Sequence, residues 1–137
     1  MNLSRNDSRM LAMTILYQID LMKKKKIDYS KEELLTEYSE VMNEFVTSLI
    51  DGVLEHEEEL IEIANKYLNN WNISRLGLTD AAIIKIAIYE LLYTDTPKKV
   101  CIDEAIELAK DYSDEKVVGM INGVLDKVYH DLVKEGK

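Results

Sequence analysis

The chain has 137 residues and a mass of 15.8 kDa, which is the size of one domain rather than of a multidomain protein. Its 47% hydrophobic content excludes wholesale disorder, and five glycines with a single proline argue against collagen-like, propeller and proline-rich architectures. Glu, Lys, Leu, Ile and Ala dominate the sequence, and most of them favour helices, so the composition predicts an all-α fold.

The net charge of −9 is distributed unevenly. Residues 1–26 carry six basic and two acidic residues, a net of +4, whereas residues 27–137 carry 11 basic and 24 acidic residues, a net of −13. An acidic body repels phosphates and argues against broad nucleic-acid binding, but the basic end could present a local anion-binding face. The run Lys23–Lys26 is equally typical of a solvated loop.

A single cysteine, Cys101, excludes an internal disulfide and is typical of a reducing cytoplasm. The apolar stretch Met10–Leu16 is short and lacks the features of a secretory signal. No apolar run approaches the roughly 18 residues that span a bilayer. We therefore expect a cytoplasmic protein without a membrane segment.

The first half of the chain has helical spacing of its apolar residues. A first helix is predicted from Ser4 to Met22, capped by Ser4, and a loop follows over residues 23–29. Ser30 begins a second capping box, after which the pattern predicts a short and a longer helix that are separated near Ser39. Gly52 lies inside the longer helix, where we expect a close helix crossing.

The second half continues the helical pattern. Helices are predicted over 57–68, from a cap at Thr79 or Asp80 to Tyr93, over 100–111, and after a Ser113-Asp114 cap. The helix that ends at Tyr93 is apolar around most of its circumference, so it should be central and buried. The turn-rich connector 69–77 would join an N-terminal lobe of about residues 1–70 to a C-terminal lobe of about residues 78–137.

No motif indicates catalysis or a metal site. The acidic run Glu55–Glu59 contains His56 but not the zinc-protease pattern, because position 60 is leucine, and it reads as a solvated helix start. Cys101 is more typical of a buried structural thiol than of a nucleophile. We expect no enzyme activity, no cofactor and no metal.

Three stretches, taken together, resemble one known family. They are Arg9-x-x-Ala12-Met13-x-x-Leu16-Tyr17, then Trp71-x-x-x-Arg75 followed by Asp80-x-x-Ile83-Ile84-Lys85-Ile86-Ala87-Ile88-Tyr89-Glu90-Leu91, and finally Pro97-x-x-Val100-x-Ile102-Asp103-Glu104-Ala105-Ile106-Glu107-Leu108-Ala109-Lys110 with Asn122-Gly123-Val124-Leu125-Asp126. In order and spacing they resemble the NusB family of bacterial transcription antitermination factors over nearly the whole chain.

The resemblance implies an all-α fold of about seven helices in two packed bundles. It also implies a non-enzymatic RNA-binding protein that pairs with NusE, a ribosomal small-subunit protein, on boxA-type RNA. That pair would join an RNA polymerase antitermination complex and promote readthrough of ribosomal RNA operons.

The resemblance implies five RNA-binding residues. Arg5 and Arg9 match the arginine-rich N-terminus of the family and would contact phosphate, and Tyr17 matches a tyrosine near the RNA. Tyr112 replaces the usual phenylalanine, and Lys116 matches a position linked to RNA affinity. From the residues alone, Tyr17 is equally typical of the edge of a core, and two cations at a helix start also fit a frayed end.

The resemblance places Asp80 at the contact with the basic ribosomal partner, and the acidic body favours such pairing. Asp80 is also a typical helix N-cap. We interpret Asn122-Gly123 as structural, and Trp71 and Arg75 as packing between the lobes.

Other functional classes stay open. Asn6, Asp7, Val117 and Met120 depart from the family pattern, which would fit a protein-interaction module with weakened or lost RNA binding. A similar domain precedes the catalytic domain of some RNA methyltransferases, but no such domain follows within 137 residues. The sequence also allows a homodimer, because apolar helical faces can pair.

Overall fold

The computed structural model describes residues 3–69 and 71–134, and within them it contains seven α-helices and no strand. The helices are α1 (Arg5–Lys24), α2 (Lys31–Thr36), α3 (Glu44–Glu55), α4 (Glu57–Tyr67), α5 (Leu78–Tyr93), α6 (Lys98–Tyr112) and α7 (Glu115–Val128). A 3₁₀ turn (Ile73–Arg75) precedes α5, and a π-helical turn (Tyr129–Lys134) follows α7. The predicted all-α class is confirmed. Residues 1, 2, 70 and 135–137, which the predicted lobes include, lie outside the described residues.

Side-chain caps begin four of the helices. The Ser4 hydroxyl accepts the Asp7 backbone N–H at 3.0 Å, and the Ser30 hydroxyl does the same for Glu33 at 3.3 Å. Asn43 and Asp114 cap α3 and α7 in the same way. The caps predicted from the sequence at Ser4, Ser30 and Asp114 are therefore confirmed.

Helix α5 forms the centre of the fold. Every residue from Ala81 to Ile88 is buried, which confirms the prediction of a central helix. The helix packs against α1, α3 and α4 and also against α6 and α7, so its contacts extend into both halves of the chain. The division into two lobes stays a prediction.

The start of α5 differs from the prediction. The helix begins at Leu78 after a Gly77 N-cap, so neither Thr79 nor Asp80 caps it. Asp80 instead lies in the first turn, where its carboxylate accepts a hydrogen bond from the Ser113 hydroxyl. That bond fixes the beginning of α5 against the loop between α6 and α7.

Helix α3 crosses α5 closely at Gly52. A Cβ atom placed on Gly52 would lie 2.1 Å from Cζ of Tyr89, so any larger residue would require the Tyr89 ring to move. The crossing that the sequence predicted at this position is confirmed, and its partner is the ring of Tyr89.

Two buried ion pairs set the direction of α1. Arg9 near its start pairs with Glu90 near the end of α5, and Asp20 near its end pairs with Lys85, which lies five residues before Glu90 in α5. Helix α1 therefore runs opposite to α5. Helix α6 also runs opposite to α5, because Ser113 returns to Asp80. Helices α1 and α6 thus run in the same general direction.

None of the helices in the described residues is both long enough and apolar enough to cross a lipid bilayer.

Candidate nucleic-acid interface

Three of the residues predicted from the sequence meet at one corner of the molecule. The corner is formed by the beginning of α5, the end of α6 and the beginning of α7. The hydrogen bond between Ser113 and Asp80 closes it, and the neighbouring Tyr112 side chain is 51% exposed. Lys116 is the second residue of α7 and is exposed, with its ammonium 5.8 Å from the ring centre of Trp71. The corner therefore presents an aromatic ring, a cation and a carboxylate to solvent.

A groove of about 580 Å³ lies beside this corner, between the end of α4, Trp71 and α7. Its walls are largely apolar, and its lining includes Tyr67, Leu68, Trp71, Val117, Met120 and Val124 together with Lys116, Lys127 and Asp114. An aromatic ring in a groove that also contains cations is the arrangement on which single-stranded bases stack while their phosphates are neutralised.

The role of Trp71 and Arg75 in packing two lobes together stays a prediction, since Trp71 lines the groove between α4 and α7 and both residues also reach the surface. The Trp71 side chain is 43% exposed, and Arg75 is exposed at the end of the 3₁₀ turn. The reasoning from sequence missed Trp71 and Lys127 as surface residues. The useful signal was local, because a tryptophan between two asparagines lies in a polar connector, which is typical of the surface.

Arg9 is placed differently from the expectation. Its side chain is buried, and its Nε and Nη2 donate to the two carboxylate oxygens of Glu90 at 2.7 and 2.8 Å. Despite burial, the pair with Glu90 holds the pKa of Arg9 above its ordinary value. A guanidinium held in this way cannot reach a phosphate at the surface, so Arg9 is a structural residue that fixes α1 on α5.

Arg5 remains at the surface at the start of α1. Its guanidinium carbon lies 3.9 Å above the ring centre of Phe45, a cation–π contact that leaves the side chain exposed. Its neighbour Asn6 donates to Glu104 of α6 at 2.6 Å, so that position is occupied by an internal contact. The helical rise puts about 18 Å between Arg5 and Tyr17 along the axis of α1.

Tyr17 is half-buried on α1. The contact between Asn6 and Glu104 joins α1 to α6. Beyond this contact, Tyr17 lies further along α1 and Tyr112 lies further along α6, and the two helices run in the same direction. Tyr17 and Tyr112 therefore lie towards the same end of the molecule, and Arg5 lies towards the other end.

The acidic run begins at the last residue of α3, Glu55, and continues into α4, which has three glutamates in its first turn, as expected for a solvated helix start. The ring of His56 stacks on that of Tyr93 at 4.1 Å, and the Tyr93 hydroxyl donates to Glu59. That hydrogen bond, together with burial, raises the pKa of Tyr93. The result is an anionic and aromatic surface away from the groove.

Cys101 is 2% exposed, which agrees with the structural thiol expected from the sequence. Burial, with a further contribution from the Glu90 charge, raises the pKa of the thiol to about 12. The thiolate that a nucleophile requires is therefore disfavoured at neutral pH.

Comparison with known proteins places this geometry in one family. The model of the NusB family matches residues 6–130. Transcription antitermination protein NusB of Ligilactobacillus salivarius is 38% identical over 130 residues, covering 93% of this chain and 99% of that protein. The solved structure of T. maritima NusB is similar with a TM-score of 0.85 and 28% identity, covering 99% of this chain and 97% of that one. A chain from a structure of antitermination factors NusB and NusE in complex with dsRNA is similar with a TM-score of 0.77 and 27% identity, covering 92% of this chain and 96% of that one. The match over nearly the whole length, in sequence and in structure, shows that this chain belongs to the NusB family.

Proposed function

We propose that this protein is a transcription antitermination factor that binds boxA-type single-stranded RNA together with NusE. In this role it would join the RNA polymerase antitermination complex in the cytoplasm and promote readthrough of ribosomal RNA operons. The observation that carries the proposal is the exposed corner at Trp71, Tyr112 and Lys116, on a chain that is otherwise strongly acidic. The activity is a binding equilibrium, and no step requires a catalytic group.

The RNA side of the proposal rests on exposed rings beside cations. Tyr112 and Trp71 offer ring faces to unpaired bases, and Lys116 and Lys127 lie where a phosphate backbone would pass. Tyr17 and Arg5 stay candidates for further contacts at the surface of α1. Arg9 is not part of the proposed site.

The partner side rests on charge. Asp80 is partly exposed at the start of α5, and residues 27–137 carry a net charge of −13, which complements a basic ribosomal protein. With so few free cations, the chain alone should bind RNA weakly. NusE would strengthen binding by adding RNA contacts of its own.

The alternative is a protein-interaction module with weakened RNA binding. The burial of Arg9 and the internal bond of Asn6 favour it, because they leave Arg5 as the exposed cation in the first turns of α1. Met120 also lines the groove where an aromatic ring would offer a better stacking surface. The two functions differ in one measurable property, the affinity of the NusE complex for RNA.

Trp71 provides a direct test because it is the only tryptophan in the chain. Its fluorescence is recorded while boxA-type RNA is titrated into the complex of this protein with NusE. The same titration of the complex that contains the Trp71→Phe variant is subtracted as background. We expect the RNA to quench the Trp71 fluorescence until the signal saturates. Duplex RNA of the same sequence should compete poorly with the single strand. RNA that binds without changing the Trp71 signal would contradict the groove site, and no binding at all would favour the interaction module.

Lys116→Gln supplies the matched charge variant. We expect the slope of log K against log salt to fall by about 0.7, and the affinity at 0.1 M salt to fall about fivefold, for one lost phosphate contact with a single strand. Lys110→Gln removes the same charge from the exposed face of α6, where Lys110 pairs with Glu107 at 3.3 Å. Equal effects of the two variants would show that only net charge matters.

A further inference from the structure

The end of α1 carries a cationic turn, which we define as residues 24–29: Lys24, Lys25 and Lys26 with the neighbouring Ile27, Asp28 and Tyr29. Asp28 is also exposed, so the turn has a net charge of +2 (three lysines and one aspartate). The three lysines are exposed, and within residues 3–69 and 71–134 no carboxylate lies within 4.0 Å of their ammonium groups. The preceding Lys23 differs, because it pairs with Glu57 at 3.4 Å. Ile27 is 52% exposed and Tyr29 is 38% exposed. The turn therefore combines three unpaired cations with exposed apolar surface.

The backbone of this turn holds a lysine where glycine is usual. The Ile27 N–H donates to the Met22 carbonyl at 2.9 Å and the Lys26 N–H donates to the Lys23 carbonyl at 3.1 Å, which is the Schellman pattern of a helix C-terminus. Lys26 occupies its left-handed position, with φ of 57°. Glycine adopts this conformation without steric strain, whereas a side chain with a Cβ does not.

Stabilisation of the helix end does not account for Lys26. Cations in the last turn of a helix interact favourably with its dipole, and Lys23 and Lys24 occupy that turn. Lys26 lies beyond the helix and in a strained conformation, so its charge is retained against a local preference. Residues that break a local rule in this way are concentrated at functional sites.

The cationic turn continues the surface of Tyr17. Lys24 follows Tyr17 by seven positions, which is close to two helical turns, so both lie on the same face of α1 and about 10 Å apart along its axis. A strand that contacts Tyr17 can therefore reach the turn by following α1.

The charges indicate what binds there. A basic protein is repelled by three free lysines, whereas a polyanion is attracted to the turn and repelled by the remainder of the chain. The exposed Tyr29 ring offers a stacking surface, which is a feature of sites for single-stranded nucleic acid. We propose that the cationic turn is a second contact for RNA, which binds the phosphates of the strand beyond the segment at Tyr17. The inference rests on the proposed function and adds a surface to it.

The test uses Lys25→Gln combined with Lys26→Gly in the complex with NusE. Glycine suits the left-handed position, so the variant should be at least as stable as the parent in urea denaturation. We expect the salt slope for a boxA-type RNA with several extra nucleotides at each end to fall by about 1.4, and the affinity at 0.1 M salt to fall about 25-fold. Lys99→Gln with Lys110→Gln is the control, because it removes two exposed lysines from α6 and should change both values little.

Each failure has a distinct result. If the parent binds the RNA and the two double variants behave alike, the second contact is wrong while the proposed function stands. If the parent complex does not bind the RNA, the proposed function itself fails. Binding to vesicles that contain phosphatidylglycerol is measured in the same way for the parent and both double variants. If the parent binds the vesicles and only the turn variant loses that binding, while its RNA affinity is unchanged, the turn binds an anionic membrane surface and the inference is overturned.

Discussion

Replacement of Arg9 by methionine tests the structural role of this residue against the phosphate-binding role expected from the sequence. The variant removes the guanidinium and keeps much of the apolar volume of the side chain. It leaves the Glu90 carboxylate, which is 2% exposed in the structure, without its cation. Since both hydrogen bonds of the pair come from Arg9, nothing else in the pair compensates the charge of Glu90.

The expected magnitude follows from the burial of both partners. Removal of one member of a buried ion pair typically costs about 3–5 kcal/mol, because the other charge is left in the interior. Replacement of both members by apolar residues of similar volume is often neutral or stabilising. The Nη1 of Arg9 has no hydrogen-bond partner among the described residues, which further lowers the net value of the pair. We therefore expect Arg9→Met to lose about 3–5 kcal/mol and Arg9→Met with Glu90→Leu to recover most of that loss.

Urea denaturation followed by circular dichroism measures the free energy of unfolding for the parent, both single variants and the double variant. RNA binding of the double variant with NusE, measured where it is fully folded, should equal that of the parent. The reasoning would be refuted if Arg9→Met lost less than about 1 kcal/mol while the double variant lost RNA affinity with a lower salt slope. That combination would mean that Arg9 leaves its pair to contact phosphate.

Three further predictions concern packing, reactivity and the partner. Gly52→Ala should lose about 1–3 kcal/mol in urea denaturation because its Cβ would overlap the Tyr89 ring. Gly123 is exposed and an added Cβ meets nothing within 4 Å, so the structural role expected of this glycine is wrong, and Gly123→Ala should gain about 0.5–1 kcal/mol. Equal effects of the two variants would contradict the crossing. Cys101 should resist alkylation by iodoacetamide at pH 8 in the native protein and react in urea, because burial raises the pKa of its thiol to about 12. Alkylation is measured by mass spectrometry, and rapid alkylation of the native protein would show that the thiol is accessible. Asp80→Lys should weaken association with NusE more at low salt than at high salt in calorimetric titrations, and an equal loss at both would indicate a packing defect.

The helices were predictable because each has a local signal. Ser4, Ser30 and Asp114 cap their helices as expected, and the apolar residues of α5 surround the helix, which is typical of a central element. Gly52 was also informative, since glycine inside a regular helix implies a close neighbour. Its neighbour Tyr89 is 37 positions away in the sequence and could be identified only from the fold.

The site was less predictable because exposure depends on tertiary packing. Arg5 and Arg9 are alike in the sequence and four residues apart, yet one is exposed and the other is buried. The difference arises from Glu90, which is 81 residues away from Arg9 and has no local signal for this pairing. The exposure of Trp71 was missed for the opposite reason, because a tryptophan is usually assigned to a core and only the polar residues around it indicated a surface.

The most direct test of the central claim is fluorescence anisotropy of a labelled boxA-type single strand with this protein, with NusE and with an equimolar mixture of the two. The account predicts weak binding by this protein alone, and much tighter binding by the mixture, with a salt slope that falls when Lys116 is replaced. An affinity of the mixture no greater than that of NusE alone would contradict it.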